Sequence, residues 1–167
     1  MHWNYFLSLE ADLGHLSRYI EFNAHNFNTY SLQLARLLMA AVQEVDVVFK
    51  ELCKVYMPSA TPKSYPEYKE ILLGYSENIS NMRVWMPRHG LELRPWEYWG
   101  EEINVPPLWW TANNKVKHDR ATRFDHANLK NVLNAIAGLM VVNILLYRND
   151  TVHPIPTLFS PRNYPLP

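Results

Sequence analysis

All 12 prolines of this 167-residue chain lie after residue 57. Proline removes a backbone donor and clashes inside a helix, so only the first third is free to form long uninterrupted helices. The apolar spacing there agrees. Leu9, Leu13, Leu16 and Ile20 mark one helical stripe. A polar stretch at residues 23–28 ends that helix. From residue 29 to 57, Leu32, Ala35, Leu38 or Met39, Val42, Val45, Phe49, Leu52 and Tyr56 keep helical spacing. At about 1.5 Å per residue this second helix is roughly 40 Å long, and Pro58 closes it.

The rest is punctuated. Residues 59–64 form a turn-rich loop. Ser64 and Glu67 have capping-box spacing with Pro66 in the first turn, which predicts a third helix to about residue 81, weakened slightly by Gly74. Residues 82–107 hold Trp85, Trp96 and Trp99 interleaved with Pro87, Pro95, Pro106 and Pro107. They read as an insertion packed by aromatics, and a hairpin about Arg88-His89-Gly90 or an irregular flap fits equally. A short helix is expected after Pro107 to about residue 119. The last helix starts near Asp125, which can cap it, with Phe124 and Leu129 as a hydrophobic staple. Its inner face is Leu129, Val132, Leu133, Ile136, Leu139, Met140 and Asn143, and it ends near Arg148. The tail, residues 150–167, carries five prolines and is expected extended over the surface or mobile. The expected fold is all-α: one domain over residues 1–167, a bundle of about five helices with an insertion and a tail.

Composition narrows the function classes. The chain is 48% apolar, enough for a core without disulfides or metal. Lys and Arg balance Asp and Glu at 16 each, which disfavours a globally basic nucleic-acid binder and leaves room for a local basic patch. Cys53 is the one cysteine, so neither a disulfide framework nor a cysteine zinc cluster forms, and a reducing compartment fits. The first residues lack the basic start and apolar run of a secretory signal, so a cytoplasmic location is expected. Asn78-Ile79-Ser80 is then a chance glycosylation match. The most apolar window, residues 135–146, contains Asn143 and falls short of a span of about 18 residues, so a buried helix is expected and no membrane association. Seven histidines show no metal-ligand spacing, and no Gly-rich phosphate loop or Gly-x-Ser-x-Gly occurs, so neither metal nor cofactor is expected.

The stretch 109–120, Trp-Trp-Thr-Ala-Asn-Asn-Lys-Val-Lys-His-Asp-Arg, is where chemistry concentrates. In a helix, Asn114, Lys117 and His118 share one face, and Asn113, Lys117 and Arg120 overlap it. Arg123 and His126 follow. Such a set suits an anionic ligand, since Arg and Lys neutralise phosphate and His titrates near neutrality. The competing reading is a solvated polar face with local ion pairs. On the long helix, Glu44 lies beside the core stripe, and Asp46 and Lys50 form an i,i+4 pair. A part-buried carboxylate needs a cation, which residues 114–120 could supply; a plain surface ion pair is the alternative. Cys53 reads as core, and the tryptophans as packing ahead of base stacking or a small-molecule pocket.

Two segments together resemble a family. The first is Tyr30-Ser31 with Glu44-Val45-Asp46-Val47-Val48 and Lys50; the second is Trp110, residues 114–120, then Phe124, Ala127, Asn128 and Leu129. This is similar to HEPN-type helical domains of bacteria and mobile elements, over residues 29–148 without the Trp-rich insertion. The resemblance implies an up-and-down bundle, often a homodimer, binding RNA and in many members cleaving it in toxin–antitoxin or anti-phage systems, with a cognate antitoxin as partner. Active members carry an Arg, four to six residues, then a His. Arg120 and His126 match, with Ala121 where a polar residue is usual; Arg83 and His89 match in the insertion; Lys117-His118 is a local alternative. The resemblance thus implies His118, Arg120 and His126 as catalytic, Asn114, Lys117 and Arg123 as substrate-binding, and Glu44 and Asp46 as support. The reading from another class is a non-catalytic interaction module, in which residues 114–120 tie the last two helices to Glu44 and Asp46.

Overall fold

A computed structural model describes residues 1–75, 77–102, 104–147 and 153–162. Six α-helices appear among them: α1 (His2–Leu16), α2 (Leu32–Tyr56), α3 (Tyr65–Leu72), α4 (Leu108–His118), α5 (Arg120–Arg123) and α6 (Leu129–Leu146). The unbroken segment forms the longest helix. Ser31 caps α2, its hydroxyl oxygen accepting from the Leu34 N–H at 3.1 Å. Leu34, Leu38, Val42, Val45, Phe49 and Leu52 are buried along one side, each contributing about 1.5–3 kcal/mol. The helix stops at Tyr56, two residues before Pro58.

Helix α2 packs against α6, and α1 and α4 each touch both of them, while α3 lies on α2. The expected inner face of α6 is fully buried, and so are Ala135, Ala137, Gly138, Val141 and Val142. From Ala135 to Asn143 the helix is buried on every side, while Lys130 near its start is exposed. Its 18 residues, mean hydropathy 1.7, are long and apolar enough to cross a bilayer, more than the 135–146 window indicated, and two-thirds of the span is buried inside this fold. Its cap is Asn128, whose side chain accepts from the Asn131 N–H at 3.1 Å; Asp125 instead lies in a preceding turn. The end expected near Arg148 falls outside the described residues, and the helix is seen to Leu146.

The chain is mainly helical and not purely all-α. Residues 82–107 contain strands β1 (Arg83–Met86) and β2 (Leu91–Leu93), and the tail adds β3 (Ser160–Arg162). The antiparallel order is β2-β1-β3. Gly90, at φ +63°, supplies the left-handed turn that closes the hairpin. Val84 and Met86 point into the core at alternate positions of β1, a period the flanking prolines obscure. Helix α3 ends at Leu72, short of residue 81, and gives way to 3-10 turns. At its start, Glu67 accepts from the Ser64 hydroxyl and, at 3.0 Å, from the Lys63 N–H.

The tryptophans fill the centre of the molecule. Trp96, Trp99 and Trp109 are each at most 2% exposed. Trp96 meets Trp109 edge-on at 5.0 Å and Trp99 at 5.6 Å, and Phe49 of α2 stands 5.3 Å from Trp96. The Trp96 indole donates to the Gly138 carbonyl at 3.2 Å and the Trp109 indole to Pro95 at 2.8 Å. A Cβ on Gly138 would meet the Trp109 ring at 3.0 Å, tighter than an ordinary contact, so glycine lets the indole lie close against α6. The expected insertion therefore contributes Met82, Val84, Met86, Leu93, Trp96 and Trp99 to the core. The tail is docked too. Buried Glu10 of α1 accepts backbone N–H bonds from Leu158 at 2.7 Å, Thr157 at 3.1 Å and Phe159 at 3.2 Å, while the Trp3 indole donates to the Pro154 carbonyl at 2.9 Å.

Candidate functional site

Helix α4 is built to show two faces. Trp109, Ala112, Asn113 and Val116 recur at helical spacing and are buried; Asn114, Lys115, Lys117 and His118 face out. Asp119 breaks the helix with φ −141° and ψ 57°. Arg120 therefore starts a new turn and does not continue the register of Asn113 and Lys117. It folds back toward α2, its guanidinium 3.3 Å from the Met39 sulfur.

Met39 is also part of a cleft of about 510 Å³ between α2 and α4. Helix α2 contributes Met39, Val42, Gln43 and Asp46; α4 contributes Trp110, Asn113, Asn114 and Lys117; Lys63 comes from the loop before α3. The fold thus brings Asn114 and Lys117 together with Asp46, and Arg120 touches a residue of the same wall. His118, Arg123 and His126 do not line the cleft. His118 and Arg123 are exposed; His126 is half-buried, and its carbonyl accepts from the Asn131 side chain at 2.9 Å.

The partners of the acidic residues differ from expectation. Glu44 pairs with His2 of α1 at 2.7 Å and does not reach residues 114–120. Its position near the core stripe turns it toward α1, which α2 packs against. Asp46 takes Lys50 at 2.5 Å, as its spacing predicts, and also the Tyr68 hydroxyl at 2.8 Å. Burial and the Asp46 bond push the Tyr68 hydroxyl pKa upward, so it stays a neutral donor.

The basic side carries no ion pairs among the described residues. Among the described residues, Lys117, His118 and Arg123 have no ion pair, and Asn113, Asn114 and Gln43 make no side-chain hydrogen bond. The ion pairs that a tie between the last helices and Glu44 or Asp46 requires do not form. Residues 108–130 hold five Lys and Arg against two Asp, all seven exposed, in a chain whose total charge is balanced. Arg83 and His89, the other Arg–His pair, are engaged elsewhere. Arg83 binds Glu92 at 3.1 Å, and His89 packs 5.0 Å from the Phe22 ring, where burial and Arg88 lower its pKa.

No group of three or more His, Cys, Asp or Glu among the described residues is placed to hold a metal ion. Cys53 is buried, which pushes its thiol up to about 11 and keeps it unreactive. The cavity beside Trp99 measures only about 10 Å³, whereas Trp109 borders a groove of about 230 Å³ and Trp110 lines the α2–α4 cleft. Gln43 stands with Glu44, Asp46 and Lys50 as a polar residue among the aliphatics of the long helix, whereas Lys63 was not singled out. Gln43 sits one position off the apolar stripe, which is the signal it offered; Lys63 lies in a loop and offered none. No family model, curated protein or solved structure matches this chain.

Proposed function

We propose that this chain is a HEPN-like RNA-binding protein and a metal-independent endoribonuclease, acting as a homodimer in a toxin–antitoxin or anti-phage role with a cognate antitoxin. One observation carries the reading: the cations of residues 114–123 face solvent without internal ion pairs, beside a cleft of about 510 Å³. A structural cluster would pair its charges; a phosphate site leaves them open.

The chemistry needs a base to take the 2′-hydroxyl proton, a cation on the phosphorane oxygens and an acid for the leaving 5′-oxygen. His118 and His126 flank the turn that holds Arg120, so proton transfer falls to the histidines. Arg120 and Lys117 supply the charge, while Asn114 and Arg123 hold the strand. A two-fold dimer supplies acid and base from identical chains.

The test is RNA binding and cleavage in EDTA across a salt series. Each phosphate contact contributes about 0.7 to the log–log salt slope for single strands. Arg120→Ala is expected to weaken binding and flatten the slope by about that amount, at unchanged melting temperature. Arg120→Lys keeps the charge but loses the planar fork, so it restores binding more than cleavage. His118→Ala with His126→Ala abolishes cleavage. Wild-type protein that neither binds nor cuts RNA at low salt overturns the reading.

A further inference from the structure

Phosphate neutralisation leaves Asn113 without a role. Its side chain lies on the buried face of α4, is 8% exposed, lines the cleft and has no hydrogen-bond partner among the described residues. Its neighbours on that face, Ala112 and Val116, are apolar and buried. Its polar atoms open into the cleft and are not bonded to the described residues, so the carboxamide is free to meet a ligand there.

The surroundings say what it would meet. A carboxamide offers one acceptor and two donors side by side. Gln43, without a side-chain hydrogen bond, offers the same set from the facing helix. Asp46 brings a carboxylate whose oxygens hold Lys50 and Tyr68 and still have lone pairs free. Lys117 and Lys63 line the same cleft from different elements. An amide edge, a carboxylate and two cations in one cleft match a nucleotide: base edge inside, phosphates at the rim. The volume falls in the usual range of about 300–1,000 Å³ for small-ligand sites.

We infer that the α2–α4 cleft takes one unpaired adenine of the bound RNA, read by Asn113. This rests on the RNA reading above and adds its substrate class, single-stranded and adenine-bearing. The carboxamide oxygen accepts from the adenine N6 amine while its NH₂ donates to a ring nitrogen, the pairing that carboxamides make with adenine. Asp46 favours an amine over a carbonyl at the exocyclic position, because a keto oxygen would face the carboxylate. Uracil, which presents O4 in place of an amine, is disfavoured. A base held in a duplex cannot enter.

Fluorescence anisotropy with labelled oligo(A), oligo(U) and an RNA duplex, each about ten nucleotides long, tests this at low salt. Oligo(A) is expected to bind about tenfold more tightly than oligo(U), and the duplex more weakly than either. Asn113→Leu keeps the shape and removes the polar edge. It is expected to abolish the oligo(A) preference while oligo(U) affinity, the salt slope and the melting temperature hold; Asn113→Ala is the second variant. Equal binding of oligo(A) and oligo(U), or a preference that survives Asn113→Leu, overturns base reading and leaves the RNA reading standing. Failure of the wild type to bind any of the three overturns both.

Discussion

Lys69 has no exposed surface, and its ammonium donates to the carbonyls of Glu101 and Glu102 at 3.0 Å and of Tyr98 at 3.4 Å. These acceptors lie at the end of the turn that carries Trp99, so one side chain holds the aromatic loop in place. Burial pulls the Lys69 pKa below the ordinary lysine value, with Glu101 opposing. The native state therefore releases this proton at lower pH than the unfolded chain. Below both values the contribution of Lys69 is constant; through the window just under about 10.4 the unfolded chain holds more proton, so native stability rises with pH. Lys69→Met leaves three carbonyls without their donor and is expected to cost about 3 kcal/mol. Denaturant titrations at rising alkaline pH should show the gap between wild type and Lys69→Met widening; a gap that narrows contradicts the depressed pKa. No local pattern pointed to this lysine, because α3 reads as an amphipathic helix with Lys69 as one more polar position. The same limit applies to Glu44. Its need for a cation was legible from its place beside the apolar stripe, but its partner, 42 residues away, is a matter of which helix lies alongside.

At the scale of elements, what the sequence made legible was whatever local spacing decides. Helix α2 and the inner face of α6 follow from apolar recurrence, and α4 from the prolines before it and its own buried stripe. The sheet was legible only in part: the sequence allows the β1–β2 hairpin about Arg88-His89-Gly90 as one of two readings, the strands being only four and three residues long, whereas β3 exists only through pairing with β1. For the tail, prolines say only that it is not helical, which leaves an extended surface path and a mobile one equally open. Its order comes from Glu10, a buried carboxylate taking three backbone N–H groups. Glu10→Gln keeps the shape, loses the charge and places an NH₂ against donors. It is expected to cost about 2 kcal/mol, as for hydrogen bonds to charged groups. Hydrogen exchange should show the amides of Thr157, Leu158 and Phe159 losing protection while those of α2 keep theirs. Equal loss in both places would mean that the tail is not a separate unit.

Over the whole molecule the charge is uneven. The excess of basic residues at 108–130 is offset by an acidic remainder of the same size, an asymmetry that would steer the proposed RNA toward that stretch of a neutral protein. The candidate site was legible as a string of residue types but not as a place, since the break at Asp119 and the return of Arg120 to Met39 depend on tertiary contacts. The proposed homodimer sets the mass expected in solution: light scattering at micromolar concentration should give about twice the 19.7 kDa of one chain. Monomer alone at that concentration would remove the shared acid–base mechanism and leave RNA binding to be judged by itself. The clamp on the tail also has a consequence in time. Glu10 is made early and its partners some 147 to 149 residues later, so during synthesis the carboxylate waits for donors that do not yet exist. Contacts this distant in sequence form late and slowly. Helices α2 and α6 can meet before α1 seats its acid, which requires Phe159 to have left the ribosome, so closure of the tail is expected late in the folding of the domain.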